Sequence, residues 1–92
     1  MSLDQLRYFV TVAETGTTRE AARRLHVSQP PLSRQIRALE DEIGVELFAR
    51  SRRGMDLSPA GTVFLTHARS ILAALDDAVA ATRAPPRERV DG

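Results

Sequence analysis

A mainly α-helical fold with one short two-stranded hairpin is predicted for this chain of 92 residues, and three observations predict it. Apolar residues recur every three or four positions along four separate stretches, as they do on the buried face of a helix. Helix-start and helix-stop residues separate these stretches. One stretch around an Arg-Arg-Gly tip, residues 52–54, is instead typical of a hairpin. A chain of this length forms at most one small domain.

The first two helices are delimited by their capping residues. The first helix is predicted over residues 3–14, and Gly16 ends it in the position where glycine is favoured. Thr17 lies three residues before Glu20, which predicts a capping box at the start of a short second helix. The predicted inward faces are Leu3, Leu6, Phe9, Val10 and Ala13 in the first helix and Ala21, Ala22 and Leu25 in the second.

The third helix follows a tight turn at residues 26–27. Ser28 is its predicted N-cap, and the two prolines at 30–31 fall in the first turn, where an N–H has no helical partner to lose. Leu32, Ile36, Leu39 and Ile43 are its predicted buried residues, and Gly44 ends it. The acidic residues near its end, Glu40, Asp41 and Glu42, are expected to face solvent. Two strands then follow, over 45–50 and 55–57, and form the hairpin.

The last helix is long. Ser58 is its predicted N-cap, with proline at the first helical position, and it runs to about Arg83, a length of roughly 36 Å. We therefore divide the chain into a compact domain over 1–58, a linker helix over 59–83, and a hinge or tail over 84–92, whose last six residues are expected to fray.

Composition excludes several functions. The chain has no cysteine, so disulfides and thiolate chemistry are excluded. No apolar run approaches the roughly 20 residues of a membrane span, and a cytoplasmic location without membrane contact is expected. The two histidines stand too far apart for a metal site, and no motif arranges a nucleophile with its base, so we predict no enzyme. Residues 19–53 hold eight arginines against five acidic residues, a net charge of +3.

This order of elements predicts a winged helix-turn-helix, in which the second helix of the pair enters the major groove of DNA. The sequence resembles the LysR-type transcriptional regulators, without a gap from Leu3 to about Arg83. The matching residues are Ala21-Ala22, Leu25, Val27-Ser28-Gln29-Pro30, Ser33, Gln35-Ile36, Leu39-Glu40, Gly44, Leu47-Phe48, Arg50, Leu57 and Ala60-Gly61. Thr18 departs from the family, which usually has a bulky apolar residue there. The stretch 29–35 is similar to regulators that control aromatic-compound catabolism.

The resemblance implies base contacts from the start of the third helix. Gln29 can pair with two atoms of adenine, and Arg34 can fork onto guanine. Pro30 and Pro31 offer apolar surface to thymine methyl groups, although they could serve only to fix the helix start. Ser33 lies on the same outward face and is suited to a base or a phosphate. For each of these residues the alternative is a solvated helix start.

The hairpin is the wing, and the resemblance assigns its arginines to the DNA backbone and minor groove. Arg53 is predicted to enter a narrow minor groove, where negative potential is enhanced, and Arg50 and Arg52 to contact phosphates. Thr18 and Ser28 are predicted phosphate contacts at helix starts; for Ser28 the N-cap role is preferred. The alternative for the wing is a solvated basic hairpin.

The long helix carries an apolar stripe wider than a three-helix core needs. Its early part, residues 63–68, is expected to pack on the domain, and its later part to pair in an antiparallel homodimer or, alternatively, to cover a following domain. The third helix of each protomer, called the reading helix, would then bind one half of a near-palindromic promoter site. The predicted dimer contacts are Ile71, Leu72, Leu75 and Val79.

Members of the resembled family are about three times this length, which implies partners beyond DNA. A small-molecule inducer would bind an effector domain that is not in this chain, and no cofactor is expected within it. The full-length protein would form a dimer or a tetramer and contact RNA polymerase. The alternative function is a winged-helix module that binds protein and not DNA, which would require an exposed apolar patch on the third helix.

Overall fold

The computed structural model describes residues 1–86. Within them, three short helices precede a two-stranded antiparallel sheet and a long fourth helix, which confirms the predicted winged helix-turn-helix architecture. The predicted fraying of residues 87–92 lies outside the described residues. The elements in chain order are α1 (Leu3–Thr15), α2 (Thr18–Leu25), α3 (Gln29–Ile43), β1 (Phe48–Ser51), β2 (Gly54–Leu57) and α4 (Pro59–Arg83).

The helix ends lie at the predicted capping residues, but at α2 and α3 the capping hydrogen bonds differ from the prediction. Gly16 and Gly44 end α1 and α3 in the left-handed conformation, with φ of 81° and 89°, which favours glycine. At α2 the Thr17 side chain accepts a hydrogen bond from Glu20 N at 3.1 Å. The Glu20 carboxylate lies instead 3.8 Å from Arg23 Nη1. Only the first half of the predicted capping box is therefore formed.

The hairpin begins later than the sequence predicts. Phe48 pairs with Leu57 at its base and Ser51 with Gly54 at its tip, so residues 45–47 are not part of the strand. The reason lies in the Leu47 backbone, whose N–H and carbonyl are both engaged outside the sheet: the carbonyl accepts from Ser58 N at 2.9 Å. This bond ties the loop before the hairpin to the start of α4.

Phe9 lies at the centre of a single aliphatic and aromatic core. Its ring is fully buried and lies 5.3 Å from the ring of Phe48 and 5.1 Å from that of Phe64. The core thus joins α1 to the wing and to α4. Among residues 1–86, the other buried apolar residues are Leu6, Val12, Ala21, Ala22, Leu32, Ile36, Leu39, Leu47 and Ala68.

The first part of α4 belongs to this core. Phe64 and Leu65 pack against it and Ala68 is fully buried, but the expectation that residue 63 also packs on the domain is wrong, because Val63 is 63% exposed. It lies on a different face of the helix, since neighbouring residues are about 100° apart. Within residues 1–86 no helix, α4 included, is long and apolar enough to cross a membrane.

Candidate nucleic-acid interface

The turn between α2 and α3 is built by one residue in the left-handed conformation. His26 has φ 57° and ψ 42°, and Val27 N donates to the Ala22 carbonyl at 3.0 Å. The chain thereby passes from α2 to α3 within three residues, and Leu25 and Val27 pack against the core on either side of the turn. This is the geometry that lets α2 support α3.

The start of α3 differs from an ordinary capped helix. Ser28 occupies the N-cap position, as predicted, but its side chain makes no capping hydrogen bond, so the capping bond that its role implies is absent. The reason is chemical: an N-cap oxygen accepts from the second or third helical N–H, and those positions are Pro30 and Pro31, which have none. The helix start therefore presents proline rings and a hydroxyl that caps no N–H of α3.

The outward face of α3 carries the predicted reading residues. Gln29 and Arg34 are exposed, as are both prolines, and Ser33 is half-buried. The Gln29 amide is tethered, because its Nε2 donates to Thr18 Oγ1 at 3.0 Å. Thr18 thus lies beside the first turn of α3, and the structure brings the start of α2 and this face together.

The wing is held against the turn between α1 and α2. Met55 N donates to the Gly16 carbonyl at 2.8 Å, and a Cβ at Gly54 would collide with the same carbonyl. Gly54 also has φ 133°, which side chains rarely adopt. Beyond this attachment, Arg52 and Arg53 are exposed at the tip.

Glu40 is a site residue that the sequence analysis missed. The expectation that it faces solvent is wrong: its side chain is 6% exposed. Its Oε2 accepts from Leu47 N at 2.8 Å and Phe48 N at 3.3 Å, and its Oε1 accepts from Arg50 Nη2 at 2.6 Å. Helical spacing could have identified it, since it lies four residues after the buried Ile36.

These contacts set the ionisation of Glu40. Burial raises the pKa of this carboxyl, but the hydrogen bonds from Arg50 and from the Leu47 and Phe48 N–H groups, together with the Arg50 charge, outweigh it, and the pKa lies below its ordinary value. A depressed pKa means that the folded state favours the charged form.

We therefore expect acid to weaken the fold through Glu40. Its contribution is complete above the pKa that it has in the unfolded chain, near 4.5, and is lost as the pH falls through its lower folded value. Melting curves between pH 7 and pH 3 should show a decline that is smaller in Glu40→Gln, which has no titrating group there. An identical decline in both proteins would contradict this assignment.

The predicted dimer residues lie apart from this face, on α4. Ile71 and Val79 are 46% and 39% exposed, and Leu72 and Leu75 are half-buried. Leu72 packs partly against the core of its own chain, so it is less available to a partner than the other three. The exposed stripe that remains runs along the outer half of the helix.

Comparison with known proteins assigns this architecture to a family. Residues 3–62 match the family of bacterial regulatory helix-turn-helix proteins, lysR family. The chain is 50% identical over 90 residues to the HTH-type transcriptional regulator ClcR of Pseudomonas putida, covering 98% of the chain and 31% of that protein. It is 58% identical over 73 residues to TfdT of Cupriavidus pinatubonensis (strain JMP 134 / LMG 1197), covering 79% and 32%. The chain thus spans about a third of the length of these relatives.

Solved structures of DNA-binding domains have the same fold as this chain. The CbnR_DBD–DNA complex superposes with a TM-score of 0.89 at 49% identity, covering 95% of this chain and all of that one. The BenM_DBD/catB site 1 DNA complex superposes at 0.91 with 39% identity, covering 97% and 100%. Since the family model matches more than half of the chain and the folds coincide, this chain belongs to the LysR family of bacterial regulatory helix-turn-helix proteins.

Proposed function

We propose that this chain is the sequence-specific DNA-binding domain of a LysR-type transcriptional regulator. One observation carries the proposal: the exposed, donor-poor start of α3 and the basic wing are both attached to the start of α2 and the turn before it, through Gln29 on Thr18 and Met55 on Gly16. Relatives of the same fold are described in complex with DNA, which supports it. The regulated genes are proposed to concern aromatic-compound catabolism, on the strength of residues 29–35.

We assign the contacts with DNA bases to the outward face of α3. Gln29 offers an acceptor and a remaining Nε2 hydrogen to adenine, and Arg34 offers a fork to guanine. Pro30 and Pro31 leave the helix start without the N–H donors that would bind an anion, and so suit thymine methyl groups better than phosphate. Ser33 contacts a base edge or the backbone beside them.

We assign the contacts with the DNA backbone and the minor groove to the wing and to the starts of α2 and α3. Arg53 is proposed to enter the minor groove and Arg52 to contact a phosphate. Thr18 and Ser28 are proposed phosphate contacts, and the Ser28 hydroxyl, which caps no N–H of α3, supports this. The Arg50 guanidinium is held by Glu40, so it reaches a phosphate only through N–H groups that the carboxylate leaves free.

The functional unit is proposed to be a homodimer on a near-palindromic promoter site. The stripe that pairs with a second α4 consists of the exposed Ile71 and Val79 and the half-buried Leu75, with Leu72 at its edge. In the full-length protein we propose a cytoplasmic, non-enzymatic regulator, dimeric or tetrameric, that binds a small-molecule inducer in its effector domain and contacts RNA polymerase.

The position of exposed apolar surface argues against a protein-binding role for α3. The large exposed apolar side chains of the described residues lie outside the reading face of α3: Met1, Leu3, Val45, Val63, Ile71 and Val79. A protein-docking α3 would be expected to present such residues, whereas its exposed start is polar and proline-rich.

Selection of bound duplexes from a random pool tests the proposal. Binding of the selected duplex should weaken steeply with added salt, because phosphate contacts release counterions, and should exceed binding of a scrambled duplex. Failure to bind any duplex, or equal affinity for all duplexes at all salt concentrations, would refute the proposed function.

Replacing Arg34 with alanine should cost about 1–3 kcal/mol on the selected duplex and relax the preference at one base pair. Arg69→Ala is the matched control, because it removes the same charge from an exposed position on α4 and should leave the preference intact. A uniform loss over all sequences in Arg34→Ala would make Arg34 a phosphate ligand.

A further inference from the structure

Glu40 connects α3 to the wing. In the proposed function, on which this inference rests, α3 binds the major groove of DNA and the wing binds the minor groove. Glu40 lies on the inner face of α3, six residues or more beyond the reading positions, the last of which is Arg34. The groups that it binds belong to the first strand of the wing and the residue before it: Leu47 N, Phe48 N and the Arg50 guanidinium. One buried carboxylate therefore joins the reading helix to the first strand of the hairpin.

The second strand has its own attachment. Arg50 pairs with Met55 across the hairpin, and Met55 N is bound to the Gly16 carbonyl at 2.8 Å. The base of the wing is thus fixed on one side by Glu40 and on the other by the turn between α1 and α2. Arg53 lies only three residues beyond Arg50, so the placement of the tip depends on both attachments.

The chemistry favours a fixed joint over a loose ion pair. Arg50 donates from Nη2 to Oε1 at 2.6 Å and from Nη1 to Oε2 at 3.5 Å, which is the forked arrangement that gives geometric specificity. Oε2 is shared with two backbone N–H groups. No buried side-chain polar atom within residues 1–86 is without a hydrogen-bond partner, and a satisfied buried network of this kind holds one geometry.

We propose that Glu40 is a positioning residue for DNA recognition: through the Arg50 fork and the Leu47 and Phe48 N–H groups, it sets the wing relative to α3 so that Arg53 reaches the minor groove while α3 occupies the major groove. Arg50 acts chiefly as the other half of this joint. The contributions of Glu40 and Arg53 to affinity are therefore coupled, although Glu40 itself touches no DNA.

A double-mutant cycle tests this coupling. Dissociation constants are measured for the unchanged 92-residue chain, Glu40→Gln, Arg53→Ala and the double variant on a duplex selected by the unchanged chain, at a temperature where melting curves show all four folded. Arg53→Ala should weaken binding roughly tenfold in the unchanged background and less than about twofold in Glu40→Gln. An equal loss in both backgrounds, as for independent sites, would overturn the proposal.

Two further variants separate positioning from charge and from folding. Asp41→Asn removes a negative charge from the next residue of α3, which is exposed, and should leave the full effect of Arg53→Ala. Arg50→Lys keeps the positive charge but loses the fork; it should reduce the effect of Arg53→Ala as Glu40→Gln does, and it serves if Glu40→Gln does not fold. A full Arg53→Ala effect in Arg50→Lys would also overturn the proposal.

The same series distinguishes this proposal from the proposed function itself. If the unchanged chain binds no duplex, both fail. If it binds the selected duplex with salt-dependent preference but the cycle is additive, only the positioning role of Glu40 fails.

Discussion

Replacing Phe9 with alanine is expected to destabilise the fold by about 3–5 kcal/mol, the range for large-to-small changes at a buried aromatic residue. Phe9 is fully buried and its ring contacts both Phe48 and Phe64. The cavity would open where α1, the wing and α4 meet, so no single element could close it. Small domains have about 5–15 kcal/mol of stability in total, and the variant would lose a large part of it.

Urea unfolding of both proteins measures this effect, with Val63→Ala as the control. Val63 is 63% exposed, and its truncation should change the free energy of unfolding by no more than about 0.5 kcal/mol. Phe9→Leu retains part of the buried volume and should fall between the two. A loss below about 1 kcal/mol for Phe9→Ala would show that the ring does not hold the three elements together.

The helix boundaries were predictable because their causes are local. A glycine in the left-handed conformation ends α1 and α3, and Thr17 and Ser58 accept from an N–H three residues later. Such signals are complete within four or five residues of sequence. Even here the chemistry of neighbours intervenes, since the two prolines after Ser28 remove the donors that its hydroxyl would cap.

The wing and its attachments were not predictable in the same way. The acidic run at residues 40–42 predicts that Glu40 faces solvent, yet its partners lie seven to ten positions later in the chain. The contact between Met55 and Gly16 spans still more sequence. A pattern of residue types predicts which face of a helix is buried, but not which distant N–H groups a buried carboxylate meets. The DNA contacts of the reading residues stay predictions.

Leu75→Asp is expected to uncouple the two halves of a dimer on DNA. Leu75 is half-buried on α4 between the exposed Ile71 and Val79, and the three follow the spacing of one helix face. A carboxylate in the centre of this stripe would be buried without a partner in the paired state. The monomer should keep its fold, because α4 is anchored to the core earlier, at Ala68.

The loss should appear on a duplex with two half-sites and not on a duplex with one. When two linked modules bind together, the second gains about 10²- to 10⁴-fold from effective concentration, and a monomeric variant forfeits that gain while each reading helix keeps its own contacts. Sedimentation should show the variant as a monomer where the unchanged chain is a dimer. Ala73→Asp introduces the same charge about 160° away around the helix and should keep both dimer and affinity. If Leu75→Asp remains dimeric, or if it weakens binding to a single half-site as much as to the pair, then the outer half of α4 is not the pairing surface, and the alternative that the stripe covers a following domain is favoured.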